Sequence, residues 1–178
     1  MRIIKEVIIS LHQHVGVKSK PVVTENQKIE KGSLIAKPDG LGSNIHSSVK
    51  GEIVEVSKDH IKINPKKEQP ENFVKIKKST NKLEKIKDAG VVGAGGAGFP
   101  THTKLNVDLT GGYVIANAAE CEPSLEHNIY MIKNYPEIVV EGLKHIKDIT
   151  NAEKGFIAIK SKYKKAVISL KKLILKEN

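Results

Sequence analysis

From the N-terminus to about residue 70, short apolar pieces alternate with turn residues. PVVTENQKIEKGSLIAK breaks every few positions, and VKGEIVEVSKDHIKINP sets Ile53, Val54 and Val56, then Ile61 and Ile63, among polar neighbours. Short runs of this kind predict strands. Turn signals fall at Glu25-Asn26, Lys31-Gly32, Asp39-Gly40, Lys50-Gly51 and Lys58-Asp59. Strands at this spacing predict a small barrel or sandwich. Asn64–Thr80 is rich in Lys, Pro and Glu and reads as a linker, with FVKIKK as a candidate strand.

The period changes at Asn81. NKLEKIKDAG places Leu83, Ile86 and Ala89 three apart and ends on Gly90, the pattern of a short helix with a C-terminal stop. YVIANAA, from Tyr113, predicts a buried strand. Ser124 to about Ile149 reads as helix, with Pro136 marking a break or a new start and Val139, Leu143 and Ile146 on one face. GFIAIK (155–160) predicts a second buried strand. Tyr163–Lys176 predicts an amphipathic helix with Val167, Leu170 and Ile174 on its apolar face. The alternation of helix and strand predicts an α/β layer with a parallel sheet.

Charge narrows the partners. Lys and Arg number 30 against 20 Asp and Glu, and only Arg2 is arginine. Aromatic residues are 4% and Trp is absent. Nucleic-acid sites draw on Arg forks and stacking aromatics, so a solvated lysine-rich surface is expected and no nucleic-acid partner. No apolar run approaches the ~20 residues of a membrane span. Glu6 interrupts the apolar start and no small-residue cleavage site follows, so no signal peptide is expected. Cys121 is the single cysteine, which excludes an internal disulfide framework. The seven histidines have no zinc-site spacing and are expected to be solvent or packing residues.

Two clusters carry the candidate chemistry. The first is GAGGAGFP, Gly93–Pro100, with glycines at 93, 95, 96 and 98 in the string G-x-G-x-x-G. A dinucleotide fingerprint of Rossmann type should follow a strand and open a helix. Here a charged helix and Val91-Val92 precede it, and the poor helix former THTKLNVDL follows. Glu120, 22 residues past Gly98, stands about where a ribose-binding acid belongs. Apart from that reading, glycines let backbone N–H groups approach a ligand unhindered and form an anion nest. Phe99 can lie against a flat ring, and Lys104 offers charge to a phosphate. The second cluster is NAAECEP, Asn117–Pro123, leaving the end of the YVIA strand, where ligands of open α/β sheets bind. Asn117 offers a donor and an acceptor; Glu120 and Glu122 can accept from ribose or amide groups. Cys121, flanked by those two acids, is expected to be passive.

GVVGAGGAGFPTHTKLN followed by YVIANAAECEPSLEHN resembles the flavin- and NADH-binding domain of the RnfC-type component of Rnf electron-transport complexes, shared by proline-reductase-associated electron-transfer proteins. More distantly it resembles the flavin-bearing subunit of respiratory complex I. Residues 11–56 are similar to the Rnf-type N-terminal domain, a lipoyl-like barrel-sandwich hybrid, with no lysine placed for lipoylation. The resemblance implies an α+β or α/β chain: a β barrel-sandwich hybrid over 1–70, a linker over 71–80, and part of an α/β flavin domain over 81–178. It implies FMN and NAD(H) as cofactors. Gly93, Gly95, Gly96 and Gly98 would line the FMN phosphate and ribityl chain, completed by Phe99 and Lys104. Asn117 would meet the isoalloxazine edge, and Glu120 and Glu122 would face the nicotinamide nucleotide. No side chain need act as acid or base. Family members continue into the rest of the flavin pocket, a ubiquitin-like domain and a cysteine-rich iron–sulfur module, so no iron–sulfur cluster is expected on this chain. Complex I relatives carry Arg where Ala94 stands, and a small residue where His102 stands. The implied partners are other subunits of an electron-transfer complex, membrane-bound Rnf subunits or a reductase. The implied location is cytoplasmic or peripheral at the cytoplasmic membrane face. Two further readings stay open: a docking subunit with an incomplete flavin site, and a Rossmann-type NAD-binding domain without flavin.

Overall fold

The structure is a computed structural model that describes residues 4–94, 96–120 and 126–175. The chain forms two compact units, Met1–Lys104 and Leu105–Asn178.

The first unit opens with strands β1 (Val7–Ser10), β2 (Lys20–Pro21), β3 (Lys28–Ile29), β4 (Leu34–Lys37), β5 (Ile45–His46), β6 (Gly51–Val56) and β7 (His60–Pro65). They make two antiparallel sheets, ordered β1-β7-β6-β3 and β2-β4-β5. Among the described residues the sheets stay separate and close no barrel. The alternating pattern explains the layering. Ile53, Ile61 and Ile63 turn inward and are fully buried, while Val54 between them faces out. Ile53 stands opposite Ile63, and Val56 opposite Ile61. They join Ile9, Leu11, Ile29, Ile35 and Ile45 in one core, where each buried Ile contributes about 1.5–3 kcal/mol.

Two local expectations fail in this unit. Lys50-Gly51 is not a turn: Gly51 begins β6, and a Cβ there would lie 2.5 Å from the Asn64 carbonyl oxygen. Its glycine serves close approach of β7 rather than chain reversal. FVKIKK forms no strand. Val74 N–H donates to Lys31 O at 2.8 Å, but the residues after it find no neighbouring strand. Helices α1 (Lys82–Asp88) and α2 (Thr101–Lys104) complete the unit. Asn81 caps α1 by accepting from the Leu83 and Glu84 N–H groups. At its other end Gly90 takes φ +71. Val91 N–H reaches back to Ile86 O and Gly90 N–H to Lys87 O, a Schellman stop.

The second unit runs β8 (Tyr113–Asn117), α3 (His127–Asn134), α4 (Pro136–Ile149), β9 (Lys154–Ala158), α5 (Lys164–Ile174). β8 and β9 pair in parallel, Ile115 opposite Phe156, as the alternation predicted. Pro136 is the first residue of α4, where its missing N–H costs nothing. The helices bury Ile132, Val140, Ala166 and Leu170 against Ile157 of β9. In α5 the buried face is Ala166–Leu170 with Leu173 beside it, and Ile174 stays 44% exposed; the helix is rotated from the expected Val167–Leu170–Ile174 face. The expectation of buried strands is also corrected. Tyr113, Ile115 and Phe156 are 55, 63 and 47% exposed. Parallel strands read as continuous apolar runs because both faces are usually covered; here the helices cover one.

Candidate functional site

The glycine loop belongs to the first unit. Its base is pinched shut: Val92 bridges Pro100, Gly93 N–H donates to Phe99 O at 3.0 Å, and Thr101 N–H donates to Val91 O at 3.0 Å. The loop is therefore a closed hairpin followed by a single helical turn, α2. This is not the strand-to-helix turn that the Rossmann reading requires.

The two sides of the loop differ. Behind it lies the turn Gln13–Val15. Val15 N–H donates to Ala97 O at 3.1 Å. Gly98 is buried with φ +65, and a Cβ there would come within 3.0 Å of Gln13 O and 3.2 Å of His14 Cα. Gly98 is thus demanded by the fold. In front, Ala94, Gly96 and Ala97 are exposed, and a Cβ on Gly96 would meet nothing within 4 Å. Among the described residues the fold makes no demand for glycine at 96, and the backbone there is accessible. Phe99 is 40% exposed beside it. Lys104 is exposed at the end of α2 and makes no ion pair among the described residues.

The turn behind the loop is held by His14, which is buried. Its Nε2 receives the Ser43 N–H at 3.1 Å and lies 3.2 Å from Ser19 Oγ, and its Nδ1 lies 3.2 Å from Val15 O. A backbone donor on Nε2 leaves the proton on Nδ1, donated to Val15 O. The sequence reads His14 only as a solvent or packing histidine and gives LHQHVGV no part in the glycine loop. Nothing in the local sequence marks that role, because the contact spans more than 80 positions. His102, in α2, has its Nδ1 buried without a hydrogen-bond partner among the described residues. Burial, and then the charge of Lys87, hold its pKa below the ordinary histidine value.

Asn117, Ala118 and Glu120 belong to the second unit. Asn117 ends β8, is exposed, and its Oδ1 accepts from Ala119 N–H at 3.0 Å. Glu120 is buried. Its Oε1 accepts from Asn128 N–H at 2.7 Å in the first turn of α3, and Lys160 Nζ donates to its carbonyl. A carboxylate at a helix N-terminus satisfies an orphan donor and the helix dipole, so Glu120 has a structural duty that the sequence did not reveal. Gly95, Cys121 and Glu122 lie outside the described residues. Among the described residues, no group of His, Cys, Asp and Glu could hold a metal ion, and no helix is long and apolar enough to cross a membrane.

A chain that pairs an open glycine loop with a parallel α/β unit matches the model of the Nuo51 FMN-binding domain over residues 86–178, and the chain belongs to that family. Residues 1–80 match the RnfC barrel sandwich hybrid domain. Among curated proteins it is similar to the RnfC-type component of the proton-translocating ferredoxin:NAD(+) oxidoreductase complex of Clostridium ljungdahlii, 34% identical over 94% of this chain and 41% of the relative. The counterpart in the Na(+)-translocating complex of Acetobacterium woodii is 29% identical, over 94% and 42%. Cobalamin reductase PduS of Salmonella typhimurium is 38% identical over 58% of this chain and 23% of the relative. The chain thus spans about two-fifths of the length of the two oxidoreductase relatives. The resemblance read from the glycine loop and NAAECEP is to the N-terminal part of this group.

Proposed function

We propose that the chain is the FMN-side module of an RnfC-like electron-transfer protein, passing electrons between NAD(H) and FMN toward an iron–sulfur partner. One observation carries the reading: the open front of the glycine loop at Gly96, inside a segment matching an FMN-binding domain. The exposed backbone fits a phosphate, since free N–H groups without Cβ shielding make an anion nest. Lys104 adds a positive charge, and Phe99 a flat apolar surface. FMN, when bound, supplies the two-electron and one-electron chemistry. The chain's own residues bind and orient. Gly93, Gly95, Gly96 and Gly98 would hold the phosphate and ribityl chain, completed by Asn117 for the flavin ring and by Glu120 and Glu122 for the nicotinamide nucleotide. The single cysteine among these 178 residues cannot by itself ligate an iron–sulfur cluster, so the cluster is assigned to the partner. The partners are other members of such a complex, or a reductase, in the cytoplasm or at the cytoplasmic membrane face.

A second reading has its own observation. The open face of β8 and β9, with Tyr113, Ile115 and Phe156 exposed, suits a docking subunit whose flavin site is completed by further polypeptide. Titration with FMN, followed by flavin fluorescence with NADH then added anaerobically, separates the two. Saturable quenching followed by NADH-dependent bleaching is expected of the first reading. A folded chain that leaves FMN fluorescence unchanged overturns it for this chain and favours the second. Gly96→Val is expected to abolish FMN binding while leaving the urea midpoint unchanged, because its side chain would enter open space. Unaltered FMN affinity in that variant would remove the loop from the site.

A further inference from the structure

The first unit has a second concavity that the flavin reading leaves unused. Residues 73–78 run past Lys31 and Gly32, where Val74 N–H donates to Lys31 O, and face His46 of β5, an edge strand of its sheet, across a gap. A cleft of about 310 Å3 lies there, walled by Gly32, Leu34 and His46 on the sheet side and by residues 74–77 on the other. A broader depression adjoins the same segment and takes in Phe73 and Lys78.

Three features of this cleft point to one kind of occupant. First, Phe73, Val74 and Ile76 are 62, 47 and 38% exposed, an apolar strip that no described residue covers. Second, Lys75 and Lys77 alternate with Val74 and Ile76, Lys78 follows, and none of the three lysines makes an ion pair among the described residues. Lys37 adds a further positive charge to the wall, and among the described residues Asp88 is the only acid lining it. Third, after Val74 the backbone N–H and C=O groups of Lys75–Lys78 make no hydrogen bond among the described residues. An unpaired backbone beside a sheet edge is a template for an added strand. Charge alone would suit any polyanion, and apolar residues among lysines would suit an anionic bilayer. A concave wall with unpaired backbone groups suits a polypeptide.

We propose that this cleft takes an extended acidic segment of a partner protein, laid beside residues 74–77 as an added strand. Its acids meet Lys75 and Lys77, and its apolar side chains rest against Leu34, Val74 and Ile76. This docking needs no flavin and is independent of the function proposed above.

The test uses the full chain and a fluorescein-labelled peptide of alternating Glu and Val, about ten residues long to match a strand. Binding should be saturable. Lys75→Glu/Lys77→Glu should weaken it by about tenfold or more, and Lys171→Glu/Lys172→Glu, the same charge change on α5, by less than about twofold. Lys75→Ala/Lys77→Ala gives the same reading should the reversal unfold the chain, as circular dichroism would report. A peptide N-methylated at alternate amides should bind at least about tenfold more weakly, because it cannot complete the ladder. The proposal is overturned by no peptide binding, by equal losses in the two Glu pairs, or by undiminished binding of the N-methylated peptide. It is equally overturned if vesicles of phosphatidylserine and phosphatidylcholine bind through Lys75 and Lys77 while the peptide does not.

Discussion

The antiparallel sandwich of the first unit and the parallel pair of the second bury their apolar residues to very different degrees. In the sandwich, Ile35, Ile53, Ile61 and Ile63 are completely hidden, each sheet supplying the cover of the other. In the parallel pair, Tyr113 and Phe156 touch edge to face at 5.6 Å yet remain about half exposed, beside an Ile115 more exposed still. Isolated two-stranded sheets are marginal in water, and β8 and β9 hold because α4 packs on both strands. The sandwich carries its stability in its interior; the parallel layer carries it on one side and presents the other.

Substitutions should divide along that line. The largest loss is expected from Ile53→Ala, which removes a fully buried side chain from a close-packed core. A cost of about 2–5 kcal/mol should appear as a lower urea midpoint and faster amide exchange in β6 and β7. A loss below ~1 kcal/mol would mean that the two sheets pack loosely. Gly98→Ala comes next, at about 1–2 kcal/mol, from a left-handed residue and a contact with Gln13 O that must open. Unlike Gly96→Val it should lower stability and FMN affinity together.

A smaller effect is expected from pH. Burial holds the pKa of His46 below the ordinary 6.5, with Asp88 opposing, and that of His102 is lowered from the same value. Groups with depressed folded values are protonated more readily in the unfolded chain. Stability should therefore be full above pH 6.5 and fall as pH drops from there toward the folded values. His46→Asn should flatten that slope in urea midpoints; an unchanged slope would assign it to other groups. The smallest effect is expected at the open face. Ile115→Thr should move stability by less than about 0.5 kcal/mol, read from the same midpoints. A large loss there would show that the face is covered.

Much of this was legible in the sequence, and the failures share a cause. Alternation found β6 and β7 because each residue's neighbours two positions away report its face. Gly90 and Pro136 ended and began helices through strictly local chemistry. FVKIKK carries the same local signal as a strand, yet a strand needs a partner edge, and no pattern within six residues says whether one is present. Lys50-Gly51 looked like a turn because glycine is ambiguous between reversing a chain and admitting a neighbour. In the candidate site, the glycine loop was visible as composition. Its backing by Gln13–Val15 and the use of the Glu120 carboxylate to cap α3 were not, since both depend on where the folded chain returns.

The contact between Val15 and Ala97 has a practical consequence for dissecting this molecule. The two family matches meet between residues 80 and 86, which invites a cut at that seam to express each half alone. Such a cut would part the glycine loop from the turn that backs Gly98. A chimera in which a relative's N-terminal portion is grafted at the seam would inherit a foreign surface under the loop. A junction after Lys104 follows the division of the chain into its two units and keeps the glycine loop with the sandwich that backs it.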